Sequence, residues 1–500
     1  MNSKKVEEFK EYLTKIENLN NTIALVDWDM RICMPKGSID SRGNMLAYLS
    51  GEDYKMRTSE RMRSFIESLK NEKDLDEVTS SSIENCEKEY NRTKKIPANR
   101  YTEYVKLASK SSSAWEEAKE KSDFSIFQPY LEKMVEFQKE FINYWGYEDN
   151  RYDTLLDFYE PGLKVKDLDI TFNKLKKAII SILDKIRNSG VSPRYDFLQR
   201  YFSKEEQEEF DMMLLREMEF NFNIGRMDES IHPFTTSFGN KDVRITTNYH
   251  KNEFVSAMFS CLHEGGHALY EQDIPDELSG TLLNTGASMA VHESQSRFYE
   301  NIIGRSKSFW KYFFPKLKAK FKQFEDVSFD EFYSAVNRVE PSLIRTESDE
   351  LTYSLHIIIR YEIEKKLING EIEVKDLPRI WNQKYKEYLG VEPRNDAEGV
   401  LQDMHWSDGS FGYFPSYALG NLYGAQFFDK MVKDIPDLYG RIERGDIGII
   451  HSWLKDNVHK YGAVYKPNEL IKKVTGENLN AEYFINYLYR KYSDIYKFEI

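Results

Sequence analysis

Residues 261–271 read CLHEGGHALYE. His263 and His267 stand four apart with Glu264 directly after the first, the H-E-x-x-H pattern of metal-binding helices. Positions i and i+4 share one face of an α-helix, so both imidazoles reach a single ion only where this stretch is helical. Reading it as a metal site therefore commits this part of the chain to a helical body. Glu264 lies about 100° around that helix from His263, placed to lean over an open coordination position without ligating. The chain has nine histidines in 500 residues, and chance supplies roughly 0.02 such matches at this length. Gly265 and Gly266 each cost up to about 1 kcal/mol relative to Ala inside a helix. Close approach of a backbone or substrate accounts for them, and so does tight helix packing.

Outward from the motif, the dominant period stays helical. Val6, Phe9, Tyr12, Leu13 and Ile16 form an apolar stripe at three- and four-residue spacing. DITFNKLKKAIISILDKI (169–186) repeats it with Phe172, Leu175, Ile179, Ile182 and Ile186. ELTYSLHIIIRYEIEKKLING (350–370) continues the pattern and ends on Gly370, where a helix C-cap wants glycine. One region differs. In HPFTTSFGNKDVRITTNYH (232–250), β-branched and aromatic residues gather on either side of Gly239-Asn240-Lys241, which predicts a hairpin of 235–238 with 242–249. An exposed edge of such a sheet can pair with an extended peptide, or the hairpin can simply cap the core. No linker or repeat divides the chain. The expected fold is mainly α: a single domain over 1–500, two helical lobes about a deep cleft, and a small sheet beside the metal site.

Composition bounds the function. The net charge of −13, from 83 acidic and 70 basic residues, disfavours nucleic acid as a partner. No apolar run approaches the roughly 20 residues that span a bilayer, so no membrane partner is expected. Cys33, Cys86 and Cys261 form no disulfide framework, and Cys261 reads as a small buried residue. The charged start MNSKKVEEFKEYL lacks an apolar signal core, and the expected location is cytoplasmic.

A catalytic zinc site keeps three protein ligands and a water, so a third ligand is required. The metzincin extension wants glycine at 270 and histidine at 273, where Tyr270 and Asp273 stand; a thermolysin-like glutamate nineteen residues after His267 would fall on Gly286. Next comes NTGASMAVHESQSRFYENI (284–302), where Met289, Glu293 and Arg297 share a helical face. Spacing favours Glu293 while leaving His292 open.

The ordered segments HPF (232–234), DVRIT (242–246), HEGGH (263–267), HESQSR (292–297), IRTESD (344–349) and GVLQDMHW (399–406) resemble the carboxypeptidase Taq family, metallocarboxypeptidases with a neurolysin-like helical fold. Asp27 and Ser348 depart from residues usual in that family, and neither is a presumed ligand. The resemblance implies His263, His267 and Glu293 as metal ligands and Glu264 as the catalytic base. It further implies zinc, with cobalt or manganese substituting, a homodimer, and release of single residues from peptide C-termini with proline disfavoured.

The chemistry asks for more groups. Glu264 is suited to take a proton from water and return it to the departing amine. A tetrahedral oxyanion needs donors, and LQDMHWSDGSFGYFPSY (401–417) offers His405, Tyr413 and Tyr417. His405 and Tyr413 are the preferred pair, and Gly409 and Gly412 suggest a loop able to close. A carboxypeptidase also holds a free carboxylate, which arginine's fork suits. Arg345 is favoured, Arg244 second, and Arg297 reads as a salt-bridge partner in the ligand helix. His232 is a candidate for the site wall. The competing enzyme reading is an oligopeptidase of the same fold that cuts internally; a silent binding protein would have had reason to lose Glu264.

Overall fold

The apolar stripes read from the sequence are buried stripes in the structure, a computed structural model that describes residues 2–499. Phe9, Leu13 and Ile16, on the helix Asn2–Ile32, pack with Phe65, Ile66 and Leu69. Phe172, Leu175, Ile179 and Ile182 line the buried face of the helix Val165–Ser189. The chain folds into two compact units, each gathered from three separated segments. One takes residues up to 94, 194–336 and 427–478; the other takes 95–193, 337–426 and 479 onward. Among the described residues, no helix is long and apolar enough to cross a membrane.

The first unit carries the small sheet. Strands β1 (Gly225–Glu229), β2 (Thr235–Ser237) and β3 (Val243–Thr247) lie in the order β1-β3-β2, with β2 antiparallel and β1 parallel to β3. The β2–β3 hairpin turns at Gly239, whose φ of +99° is available to glycine at little cost. Strand β1 was not anticipated: its segment GRMDE lacks both β-branched residues and the two-residue apolar alternation that marks a strand. The motif helix Phe254–Asp273 packs on β3 and on the helix Lys204–Glu217. Phe254, at its start, sits among Phe202, Phe210, Phe321 and Phe324 with ring centroids 4.9–6.0 Å away. Burying such a ring stabilises by about 1.5–3 kcal/mol, which anchors the helix that bears the histidines.

In the second unit the helix Glu350–Asn369 departs from expectation. Its left-handed Gly370 matches the C-cap signal and Asp349 caps its start, but the helix has no solvent face across most of its length. Glu350, His356, Arg360 and Glu364 are buried along with the apolar residues. They are tolerated because each meets a polar partner, such as Lys491 for Glu350 and Asp403 for Arg360.

Candidate active site

Two constellations hold the residues singled out above, one in each unit. In the first unit, the helix Met289–Arg297 begins at Ser288, whose Oγ accepts from Val291 N at 3.0 Å. It lies very close to the motif helix. A Cβ built on Gly266 would stand 2.4 Å from the backbone oxygen of Gln295, so glycine here serves close backbone approach. At Gly265 the neighbours are side-chain atoms of Leu215 and Met218, both 2.9 Å away. This packing brings Glu293 to the histidines. Donor atoms of His263, His267 and Glu293 all lie within 4.8 Å of one another, and Glu293 Oε2 is 3.8 Å from His263 Nε2 and 3.4 Å from His267 Nε2.

The remaining atoms of these side chains are held by neighbours, and the neighbours fix the tautomers. His263 Nδ1 donates to Glu300 Oε2 at 2.8 Å. His292 Nε2 donates to Glu271 Oε1 at 2.7 Å, so its Nδ1 accepts from His267 Nδ1 at 2.6 Å. Both Nε2 lone pairs are thereby left for a metal. Glu293 Oε1 accepts from Arg297 Nε at 2.7 Å, which leaves Oε2 facing the histidines. His292 has both nitrogens engaged, one by Glu271 and one by His267. Two imidazoles and a carboxylate suit a borderline divalent ion with an open position, and the site fits such an ion.

Charge is arranged to match. Burial and the neighbouring His292 and His263 push His267 down to about 3, keeping it neutral. Burial works against a charge on His263 as well, yet the carboxylates of Glu293, Glu300 and Glu264 outweigh it and raise its pKa. Burial would lift Glu293 and Glu300, but Arg297 together with His263 holds both below the usual carboxylate range, Glu300 at about 2. Glu264 is different: burial raises it above an ordinary glutamate, making it a stronger proton acceptor. Thr235, on β2, donates to Glu264 Oε2 at 2.6 Å. Thr235 was legible only as the start of a predicted strand, not as a partner of Glu264. Glu271 and Glu300 were within reach of pattern reading, one turn beyond His267 and two turns beyond Glu293 on the same faces.

Arg244 and His232 also belong to the first unit. Arg244 forms a two-point pair with Asp242, at 2.8 and 2.7 Å, and lies over the rings of Phe238 and Trp28. His232 is exposed, and its carbonyl accepts from Ser230 Oγ.

The second unit holds Arg345, His405, Tyr413 and Tyr417 together. Arg345 is buried and donates from Nε and Nη2 to Asp403 Oδ1, at 2.9 and 2.7 Å, and from Nη1 to Tyr353 at 3.2 Å. Asp403 also accepts from Arg360, so one carboxylate serves two guanidiniums and the cluster keeps an excess positive charge. The Arg345 guanidinium stands 4.9 Å from the Tyr417 ring centre. His405 Nε2 lies 3.2 Å from Tyr417 Oη, and its ring stacks against Tyr413. Burial pushes His405 down to about 4, so its imidazole is neutral at neutral pH. Its Nδ1 is buried without a hydrogen-bond partner among the described residues. The loop bearing these groups is tightly packed, contrary to the closing loop its glycines suggested. A Cβ on Gly409 would meet Tyr104 Oη at 2.0 Å, and one on Gly412 would meet the Leu155 backbone at 2.8 Å.

A helical body carrying a two-histidine, one-carboxylate centre with a buried glutamate beside it defines a metal-dependent peptide hydrolase. The chain belongs to the carboxypeptidase Taq (M32) metallopeptidase family, whose model matches residues 8–492. It is 49% identical over 491 residues to carboxypeptidase 1 of Bacillus subtilis, covering 98% of each chain. It is 39% identical over 488 residues to thermostable carboxypeptidase 1 of Thermus thermophilus, covering 95% of each. Among solved structures, an M32 carboxypeptidase from Deinococcus radiodurans R1 superposes with a TM-score of 0.96 at 34% identity, over 99% of this chain and 100% of the other. The protein is thus a metallocarboxypeptidase that uses a divalent metal and acts on peptides.

Proposed function

We propose that the enzyme removes single amino acids from the free C-terminus of peptides, with broad preference and proline disfavoured, using zinc held by His263, His267 and Glu293. Cobalt or manganese would serve in its place, since the same donors accept all three. The observation that carries this reading is the three-donor cluster, with every competing atom tied back and Glu264 beside it. The chemistry that a bound ion supplies is Lewis acidity toward water and the scissile carbonyl. Glu264 takes the water's proton at Oε1, because Thr235 occupies Oε2, and then passes it to the departing amine. His405 and Tyr413 donate to the developing oxyanion, His405 as neutral imidazole.

Arg345 grips the terminal carboxylate, and Tyr417 backs it. The excess positive charge on the Arg345–Asp403–Arg360 group favours an incoming anion. Arg244, already neutralised by Asp242, is the weaker candidate. His232 contributes to the substrate wall. A homodimer in the cytoplasm is the proposed working state, resting on the resemblance and on the cysteines, all three of them free.

The test is a pair of peptides differing only in a C-terminal acid or amide. The acid form is expected to shorten one residue at a time while the amide stays largely intact. Equal rates with internal fragments would favour the oligopeptidase reading instead.

A further inference from the structure

Glu364 is a buried carboxylate that no step above uses. It sits on the helix Glu350–Asn369, with no accessible surface. Three donors converge on it. Trp406 Nε1 donates to Oε1 at 2.7 Å, while Gly412 N at 3.0 Å and Tyr152 Oη at 2.5 Å donate to Oε2. Two of these come from the segment that bears His405 and Tyr413, each from the residue next to one of them. The same segment is braced by Gln138, whose amide donates to the Gly409 carbonyl at 3.0 Å.

We infer that Glu364 is a positioning residue: it clamps the loop at Trp406 and Gly412, and thereby sets the placement of His405 and Tyr413. The inference rests on the proposed oxyanion role of those two side chains. An ionised carboxylate is acceptor-only and satisfies all three donors at once; protonation adds a donor at one oxygen and removes the charge that strengthens every one of these contacts, so the ionised form holds the loop most tightly. Burial raises this group to about 7, against the opposing help of its hydrogen bonds and of Arg360. Arg360 on its own helix, with Tyr152 and Tyr159 on the helix Arg151–Tyr159, are the ionisable groups acting on it. The clamp is therefore complete above about pH 7 and loosens below it.

The linkage sign also makes glutamine a usable probe. A carboxylate with a raised folded pKa contributes stability below its unfolded pKa that is lost as pH rises through about 7. Glu364→Gln removes that cost at neutral pH, so the variant should fold, yet its NH2 donates but accepts nothing, so the donors facing that side lose their partner. In metal-loaded enzyme, Glu364→Gln should lower kcat roughly tenfold or more, with KM within about twofold, the scale of a small misplacement of catalytic groups. With 5-fluorotryptophan incorporated and Trp406 assigned through Trp406→Phe, the wild-type Trp406 resonance should shift with a midpoint near pH 7, and the Glu364→Gln resonance should be displaced and flat. Wild-type kcat and an unmoved Trp406 signal in folded, metal-loaded Glu364→Gln would overturn the inference. His405→Ala and Tyr413→Phe, measured alongside, separate two failures. If both lose turnover while Glu364→Gln does not, this inference alone falls. If both are silent, the catalytic reading of the loop falls, and the inference with it.

Discussion

Glu264→Gln is expected to lose about 10²- to 10⁴-fold in kcat while keeping its metal, the range that a positioned general base contributes. The amide matches the carboxylate in shape, and its oxygen still accepts from Thr235, so the buried surroundings stay filled. What disappears is the capacity to take a proton. Metal stoichiometry should be unchanged because His263, His267 and Glu293 form the cluster without it. Metal analysis and turnover on the same preparation check this. Retained turnover would remove Glu264 from the base role, and loss of metal would make it a ligand.

The second large effect concerns the carboxylate grip. Arg345→Ala should lower kcat/KM on free-acid peptides by about 30-fold to several thousand-fold, corresponding to about 2–5 kcal/mol for truncating one partner of a buried charge pair. Folding should survive, because Asp403 keeps Arg360 as its counter-charge and the cluster becomes neutral instead of positive. Amidated peptides, poor substrates from the start, should be nearly indifferent. Lysine at 345 should rescue only in part, since a point charge replaces a fork. If Arg244→Ala shows this selective loss and Arg345→Ala does not, the grip belongs on the sheet.

How much of this was legible in the sequence depends on the range of the interaction. Local periodicity exposed the helices, the β2–β3 hairpin and the pairing of His263 with His267, because each is encoded within a few residues. Glu293 needed more: spacing left His292 open, and the hydrogen bond that engages His292 comes from Glu271 on the adjacent helix, beyond the reach of local pattern. Gly266 could be read as anomalous but not assigned, since its reason is the backbone of Gln295 in another segment. The helix Glu350–Asn369 shows the limit most clearly. Its polar residues look solvent-facing by pattern, yet Glu364 meets Trp406 and Gly412, and Glu350 meets Lys491. Pairings across 42 to 141 positions leave no periodic trace. Thr235 and β1 fall in the same class.

The most direct test of the central claim uses one free-acid peptide with metal-stripped protein and with the same protein given one equivalent of zinc per chain, products read by mass. The stripped protein should be inert, and the reconstituted protein should release the C-terminal residue and then the next, producing a ladder from that end alone. Full activity without metal, or fragments cut from the interior, would contradict a metallocarboxypeptidase built on His263, His267 and Glu293.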